Sequence, residues 1–209
     1  MGQATTVGGS GNITYYNIAG GDIVNRVPEG TENAVPHTIT KGPNEGKVVW
    51  DLHNNEIPGV ITGGGIVVKE ILGKKVPEIE VFLDDDAKLS IPMYLLKNIA
   101  EVLPKIDRTE EIKIRTYKSA AGNIGLEVSQ GGVKLESNFT VWEEVEGSDK
   151  KKPRNINGLP KPTFDEVDGW DFRDHDKFLK LVVMEFFAQY SSTPSPQEPD
   201  DEEEEDLAF

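Results

Sequence analysis

The stretch "GVITGGGIVVKEI" (59–71) carries most of the fold in its texture. Val60, Ile61, Thr62, Ile66, Val67 and Val68 are β-branched, which suits a pleated, half-buried surface. Three consecutive glycines, Gly63 to Gly65, interrupt that run. Glycine inside a strand marks a bulge or a sharp bend, because the missing Cβ opens dihedrals that other residues avoid. A small barrel closes through bends of this kind. The stretch therefore predicts one long, bent strand in a small barrel. It does not read as a phosphate loop, since the GxxxxGK[ST] spacing is missing and no helical pattern follows.

Strand texture extends on both sides. "ITYYNI" (13–18) and "IVNRV" (23–27) flank a Gly-Gly-Asp turn. In "KVVWDLHNNEI" (47–57), Val48, Trp50 and Leu52 share one face, and Lys47, Val49, Asp51 and His53 the other. "VPEIEVFL" (76–83) alternates Ile79, Val81 and Leu83 inward with Glu80 and Phe82 outward. "EIKIRTYKS" (111–119) sets Ile112, Ile114 and Thr116 against Lys113, Arg115 and Tyr117, and "IGLEVSQ" pairs back. "MYLLKNIAEVL" (93–103) is the internal helix, with a stripe of Leu95, Leu96, Ile99, Val102 and Leu103, stopped by Pro104. The predicted fold class is mainly β: an OB-like small antiparallel barrel with one internal helix, a C-terminal helix and a disordered acidic tail.

The expected organisation is a flexible arm over 1–12, the barrel over 13–145 and a charged, Pro-containing linker over 146–170. A C-terminal helix over 171–192 and the acidic tail over 193–209 follow. "KFLKLVVMEFFAQY" in that helix is apolar on more than one face, so it must dock on the barrel or on another chain, as in a homodimer. Asp171 or Asp174 can cap its start.

The 209 residues carry a net charge of −15 and no cysteine. A thiol enzyme and a disulfide scaffold are excluded. No apolar run is long enough to span a membrane, and the N-terminus lacks the pattern of a secretory signal. A cytoplasmic setting is the simplest expectation. Eight of the acidic residues fall in 194–209, leaving the rest of the chain near −7, so the total does not speak for each face.

Chemistry is sparse. His37, His53 and His175 stand in no catalytic motif, and no GxSxG context occurs. Asp174-His175-Asp176 reads as a helix start, where acidic side chains suit the free N–H groups, rather than as a metal site. Asp84-Asp85-Asp86 reads as a solvated turn. The expectation is a protein without catalytic activity, metal or cofactor.

A barrel without catalytic residues points to binding. Single-stranded nucleic acid asks for basic side chains along the phosphates and aromatic rings on which bases stack. Lys113, Arg115 and Tyr117, two residues apart on one strand, meet that demand, with Lys118 beside them. Tyr15 and Tyr16 are adjacent, so one must face outward. Phe82 is an apolar ring on a polar face. Lys74 and Lys75 occupy a turn, Trp50 stands near Lys47, and Arg26 and Lys69 complete the candidate set.

The chain ends in an acidic run, Asp200, Asp201, Glu202, Glu203, Glu204, Glu205 and Asp206, followed by Leu207, Ala208 and Phe209. This tail resembles the C-terminal tip of single-stranded DNA-binding proteins of bacteria and phages, although it lacks the proline that usually precedes the last Phe in the bacterial ones. "ITYYNIAGGDIVNRVPEGTENAV", "KVVWDLHNNEIPGVITGG", "IKIRTYK" and "NGLPKP" resemble the body of phage-encoded members. The resemblance implies an OB-type fold and sequence-independent binding and protection of single-stranded DNA in phage replication, recombination or repair, in the cytoplasm of an infected bacterial host. It also implies that the acidic run competes with DNA for the groove. The tip would recruit a polymerase, helicase or primase, nuclease or recombinase. The competing expectation is an acidic, non-catalytic protein-interaction module, chaperone-like or from a virion, with a solubilising tail.

Overall fold

The computed structural model describes residues 13–191 apart from Leu72 and Val167. The arm over 1–12 and the acidic tail with Asp200 to Phe209 lie outside the described residues. The strands are β1 (Thr14–Ala19), β2 (Asp22–Val27), β3 (Val35–Thr38), β4 (Val48–Asn54), β5 (Glu56–Gly59), β6 (Ile61–Ile71), β7 (Lys74–Leu83) and β8 (Ala87–Pro92). Helix α1 (Leu96–Ala100) follows, then β9 (Ile112–Lys118), β10 (Ile124–Gln130), β11 (Val133–Lys134), β12 (Thr140–Val145), β13 (Ser148–Asn155), β14 (Thr163–Asp165), β15 (Gly169–Asp171) and α2 (Arg173–Ser191). Among the described residues the fold is mainly β with two α-helices, as the sequence predicts.

Seven strands form one sheet in the order β3-β4-β2-β1-β8-β7-β6, and four form another, β11-β10-β9-β5. Within the large sheet only β1 and β8 run parallel, Thr14 opposite Ala87 through Asn17 opposite Ser90. The hydrogen-bonded ladders do not close on themselves: β3 and β6 are the edges of one sheet, β11 and β5 of the other. This differs from the closed barrel that the glycine run suggests, and the reason lies beside that run. The chain passes from β4 to β5 and on to β6, leaving the large sheet, joining the small one and returning. It spends its bend on changing sheets, as strands do at the corners of orthogonally packed sheets. Gly59 forms the corner with φ 156°, where a Cβ would come within 2.8 Å of Leu83 Cβ. Asp84 pins the corner. Its carboxylate accepts the Val60 N–H (3.0 Å), its own N–H donates to Val60 O (2.7 Å), and its carbonyl accepts the Thr62 hydroxyl (2.6 Å).

The register of β6 against β7 slips between Ile61 and Gly63, the bulge that the glycines imply. Gly64 has a second use. A Cβ there would meet Glu80 O at 2.3 Å and the Phe187 ring at 2.5 Å. The bare backbone is thus the seat of α2, which docks its buried Leu179, Val183, Phe186 and Phe187 on β6 and α1. The core between the sheets and the helices includes Ile79, Val81, Leu83, Leu89, Ile91, Leu95, Ile99, Ile112 and Ile114, all fully buried. Each such side chain contributes about 1.5–3 kcal/mol relative to an exposed one.

Two segments differ from their sequence reading. The predicted helix over 93–103 is divided into a 3-10 turn (Met93–Leu95), the five-residue α1 and a second 3-10 turn (Leu103–Lys105), although its apolar stripe is buried as read. Residues 146–170 hold strands where the charges suggest a linker. β13 pairs with β12, setting Lys151 opposite Glu144 and Lys152 opposite Glu143, and β14 pairs with β15.

Helix α2 begins under Asp171. Its carboxylate accepts the Arg173 backbone N–H (2.9 Å) and the Arg173 guanidinium (2.6 Å). Those two interactions lower its pKa to about 2. A free Asp titrates near 3.9. A lowered carboxylate stabilises the fold above the unfolded pKa and ceases to do so as pH falls through the folded one. A lower protection of the Arg173 amide, taken relative to its intrinsic exchange rate at each pH, is therefore expected as pH drops from about 4 toward 2. In Asp171→Asn that step should vanish in pH-dependent NMR hydrogen exchange. An unchanged step would assign it to another group.

Candidate nucleic-acid interface

Strand β9 alternates as its sequence suggests. Ile112 and Ile114 point into the core, while Lys113, Arg115 and Tyr117 emerge on the opposite, exposed face. The strand runs between β10 and β5, so cross-strand neighbours frame that face. Lys113 Nζ lies 3.1 Å from Glu56 Oε1. Arg115 stands opposite both Glu56 and Glu127, and its guanidinium lies 2.5 Å from the Glu127 carboxylate. Lys134 of β11 reaches the same carboxylate at 3.4 Å. Three cations thus face two carboxylates.

Tyr117 stands opposite Gly125. A Cβ on Gly125 would fall 2.3 Å from Tyr117 Cζ, so the ring lies over bare backbone and remains 43% exposed. Beside it, Asp22, Asn54, Asn55, Glu56, Arg115 and Thr116 complete a cleft of about 610 Å³. Lys134 escaped the sequence reading because a two-residue strand after Gly131-Gly132 has no periodicity to detect. Lys118 sits at the end of β9 with its Cβ near Gly21, one alternation away from Tyr117.

The outer face of the large sheet collects a second group. Cross-strand register aligns Tyr15, Lys88 and Phe82 on β1, β8 and β7. Lys88 Nζ lies 5.7 Å from the Tyr15 ring centre and 5.4 Å from that of Phe82, and 2.7 Å from Glu80 Oε2. Lys69 is held by Glu78 (2.6 Å), Glu80 (3.2 Å) and the Ser90 hydroxyl (2.7 Å). Burial alone would lower the Lys69 pKa, but the hydrogen bonds to Glu78 and Glu80 outweigh it and hold it above the usual lysine value.

The remaining candidates are dispersed. Arg26 faces Asp51 at 3.6 Å, and Asp51 also meets His37 at 2.9 Å. Tyr16 turns inward against the core, where burial and then the charge of Asp86 raise its phenol pKa. Trp50 is half-buried in β4 opposite Val27 and Pro36. Lys47 donates to Asn44 Oδ1 at 2.9 Å. Lys74 and Lys75 are exposed at the β6–β7 hairpin. His175 is buried beside the Phe172 ring at the start of α2. Among the described residues no group of three or more His, Asp or Glu is arranged to hold a metal, and no helix is long and apolar enough to cross a membrane.

Comparison with known proteins yields no matching family model, no matching curated protein and no matching solved structure.

Proposed function

We propose that this chain binds single-stranded DNA without sequence preference and without catalysis, on an open, OB-like frame of two sheets, across the outer face of β11-β10-β9-β5. The observation that carries the reading is the row of Lys113, Arg115 and Tyr117 along one exposed face of β9, joined at its Lys113 end by Lys134, with Tyr117 an exposed ring over the glycine floor of Gly125. Cations beside an open aromatic ring serve phosphates and a stacked base together. Glu56 and Glu127 keep the cations in place when DNA is absent, and phosphates must compete with them. The resemblance of the acidic tail to those of phage single-stranded DNA-binding proteins supports the same reading. It adds a tail that competes with DNA and recruits replication proteins in the host cytoplasm.

The test is fluorescence anisotropy with labelled oligo-dT at several salt concentrations. Affinity should fall as salt rises, because bound phosphates release counterions. Tyr117→Ala should weaken binding about tenfold, within the roughly 1–3 kcal/mol of one stacked base, with the thermal melt unchanged. Removing 194–209 should strengthen binding. No binding at low salt, even without the tail, would overturn the proposal.

A second reading rests on a different patch. Phe164 (61% exposed), Trp170 (62%) and Phe172 (48%) cluster around the β14–β15 hairpin. Exposed aromatic clusters rimmed by polar residues often mark protein contacts. If oligo-dT fails to bind, this patch makes the protein-interaction module the better reading.

A further inference from the structure

The Tyr15–Lys88–Phe82 row lies on a different sheet from Tyr117, and its geometry points to a second contact for single-stranded nucleic acid with Lys88 as its cation. This inference rests on the single-stranded DNA reading. Tyr15 is 58% exposed although it belongs to a strand in the middle of the large sheet. Such a ring has neighbours on both sides and is still left open to solvent. Phe82 is half-buried, and its Cδ2 leans over Gly63. Gly65, farther along the same face, has open space above it. The glycines that form the bulge thus also leave the outer face low and accessible beside the rings.

Lys88 links the two rings. Its ammonium lies over both and is held from beneath by Glu80, which is 6% exposed and also held by Lys69. Without DNA, the charge is balanced by a carboxylate that cannot leave. A lysine stem has four rotatable carbons, so the head can swing outward to a phosphate while Tyr15 receives a base. Glu80 is therefore a positioning residue that restrains Lys88, and removing its charge should release the cation to DNA. The carboxylates of Asp84 and Asp85 border the Phe82 end of the row. They exclude phosphate there and direct the strand toward Gly65.

The experiment is the oligo-dT titration with the full chain and with the chain lacking 194–209. Tyr15→Ala should weaken binding about tenfold and Tyr15→Phe should restore it, since stacking needs the ring and not the hydroxyl. Lys88→Ala should weaken binding severalfold and reduce the salt slope by about one. Glu80→Gln, which keeps the shape and removes the charge, should strengthen binding. A merely structural role for Glu80 would lower the melting temperature and leave affinity unchanged or weaker. If the parent binds oligo-dT and Tyr117→Ala weakens it, while the Tyr15 and Lys88 variants match the parent, the second contact is refuted and the first remains. If the parent does not bind, both fall. Tyr15 is exposed, so its variants should retain the parental melt even if Lys88→Ala does not.

Discussion

Gly64→Val should cost about 2–5 kcal/mol of stability, as overpacking and backbone strain combine. A single domain often has only 5–15 kcal/mol in total. Position 64 has φ 154°, and any Cβ there would press on Glu80 O, a backbone atom fixed by the β6–β7 ladder. The same Cβ would strike the Phe187 ring and lift α2 from its seat. Gly65→Val is the internal control. It has the same φ of 154° but open space around it, so only the conformational strain of about 1–3 kcal/mol applies. Urea unfolding of the two variants separates contact from strain. Equal losses would show that α2 does not need the bare backbone at Gly64. Measured against Phe187→Ala alone, Gly64→Val should cost less than it does in the parent, the difference being the part that belongs to the ring and the remainder the part that belongs to Glu80 O.

Glu80→Ala should destabilise by roughly 3 kcal/mol, the scale of breaking a buried pair by removing one partner. It strips the shared carboxylate from Lys69 and Lys88 and leaves two ammonium groups beside each other on the sheet. Its pH signature has a definite sign. Lys69 has a raised pKa in the folded chain, with the Glu78 and Glu80 hydrogen bonds overcoming the effect of burial. A raised lysine stabilises below its unfolded pKa and loses that contribution as pH rises through its folded value. The loss at alkaline pH should therefore be smaller in Glu80→Ala than in the parent, as read by thermal melts from about pH 10 upward to about 12, since the loss begins above the lysine reference value of about 10.4. Parallel alkaline profiles would dissociate Glu80 from Lys69.

The parts of the fold that the sequence made legible are those with a local period. β9 shows its two faces because one is buried and one is solvated, and a period of two records that difference residue by residue. Phe82 was recognisable as outward by the same alternation. The glycine run disclosed a bulge, since backbone freedom is a local property. What stayed hidden depends on partners distant in sequence. Lys69 looks like a free cation until register brings Glu78 and Glu80 beside it. Arg115 and Lys113 look unpaired until β10 and β5 supply Glu127 and Glu56. The strand in 148–155 was masked by its charges, whose cross-strand partners lie on β12. The need for glycine at 64 depends on a ring 123 residues away along the chain.

The parallel pairing of β1 with β8 also sets an order of events in time. It joins the β1-β2-β4-β3 half to the β6-β7-β8 meander at the centre of the sheet. Each half is built from strands that are near in sequence, but the suture between them spans Thr14 to Ala87. Contacts that close such long loops form late and slow the search. A chain emerging from the ribosome therefore cannot complete its central ladder until β8 is free. Until then the open sides of β1 and β7 present unpaired backbone to any neighbouring strand.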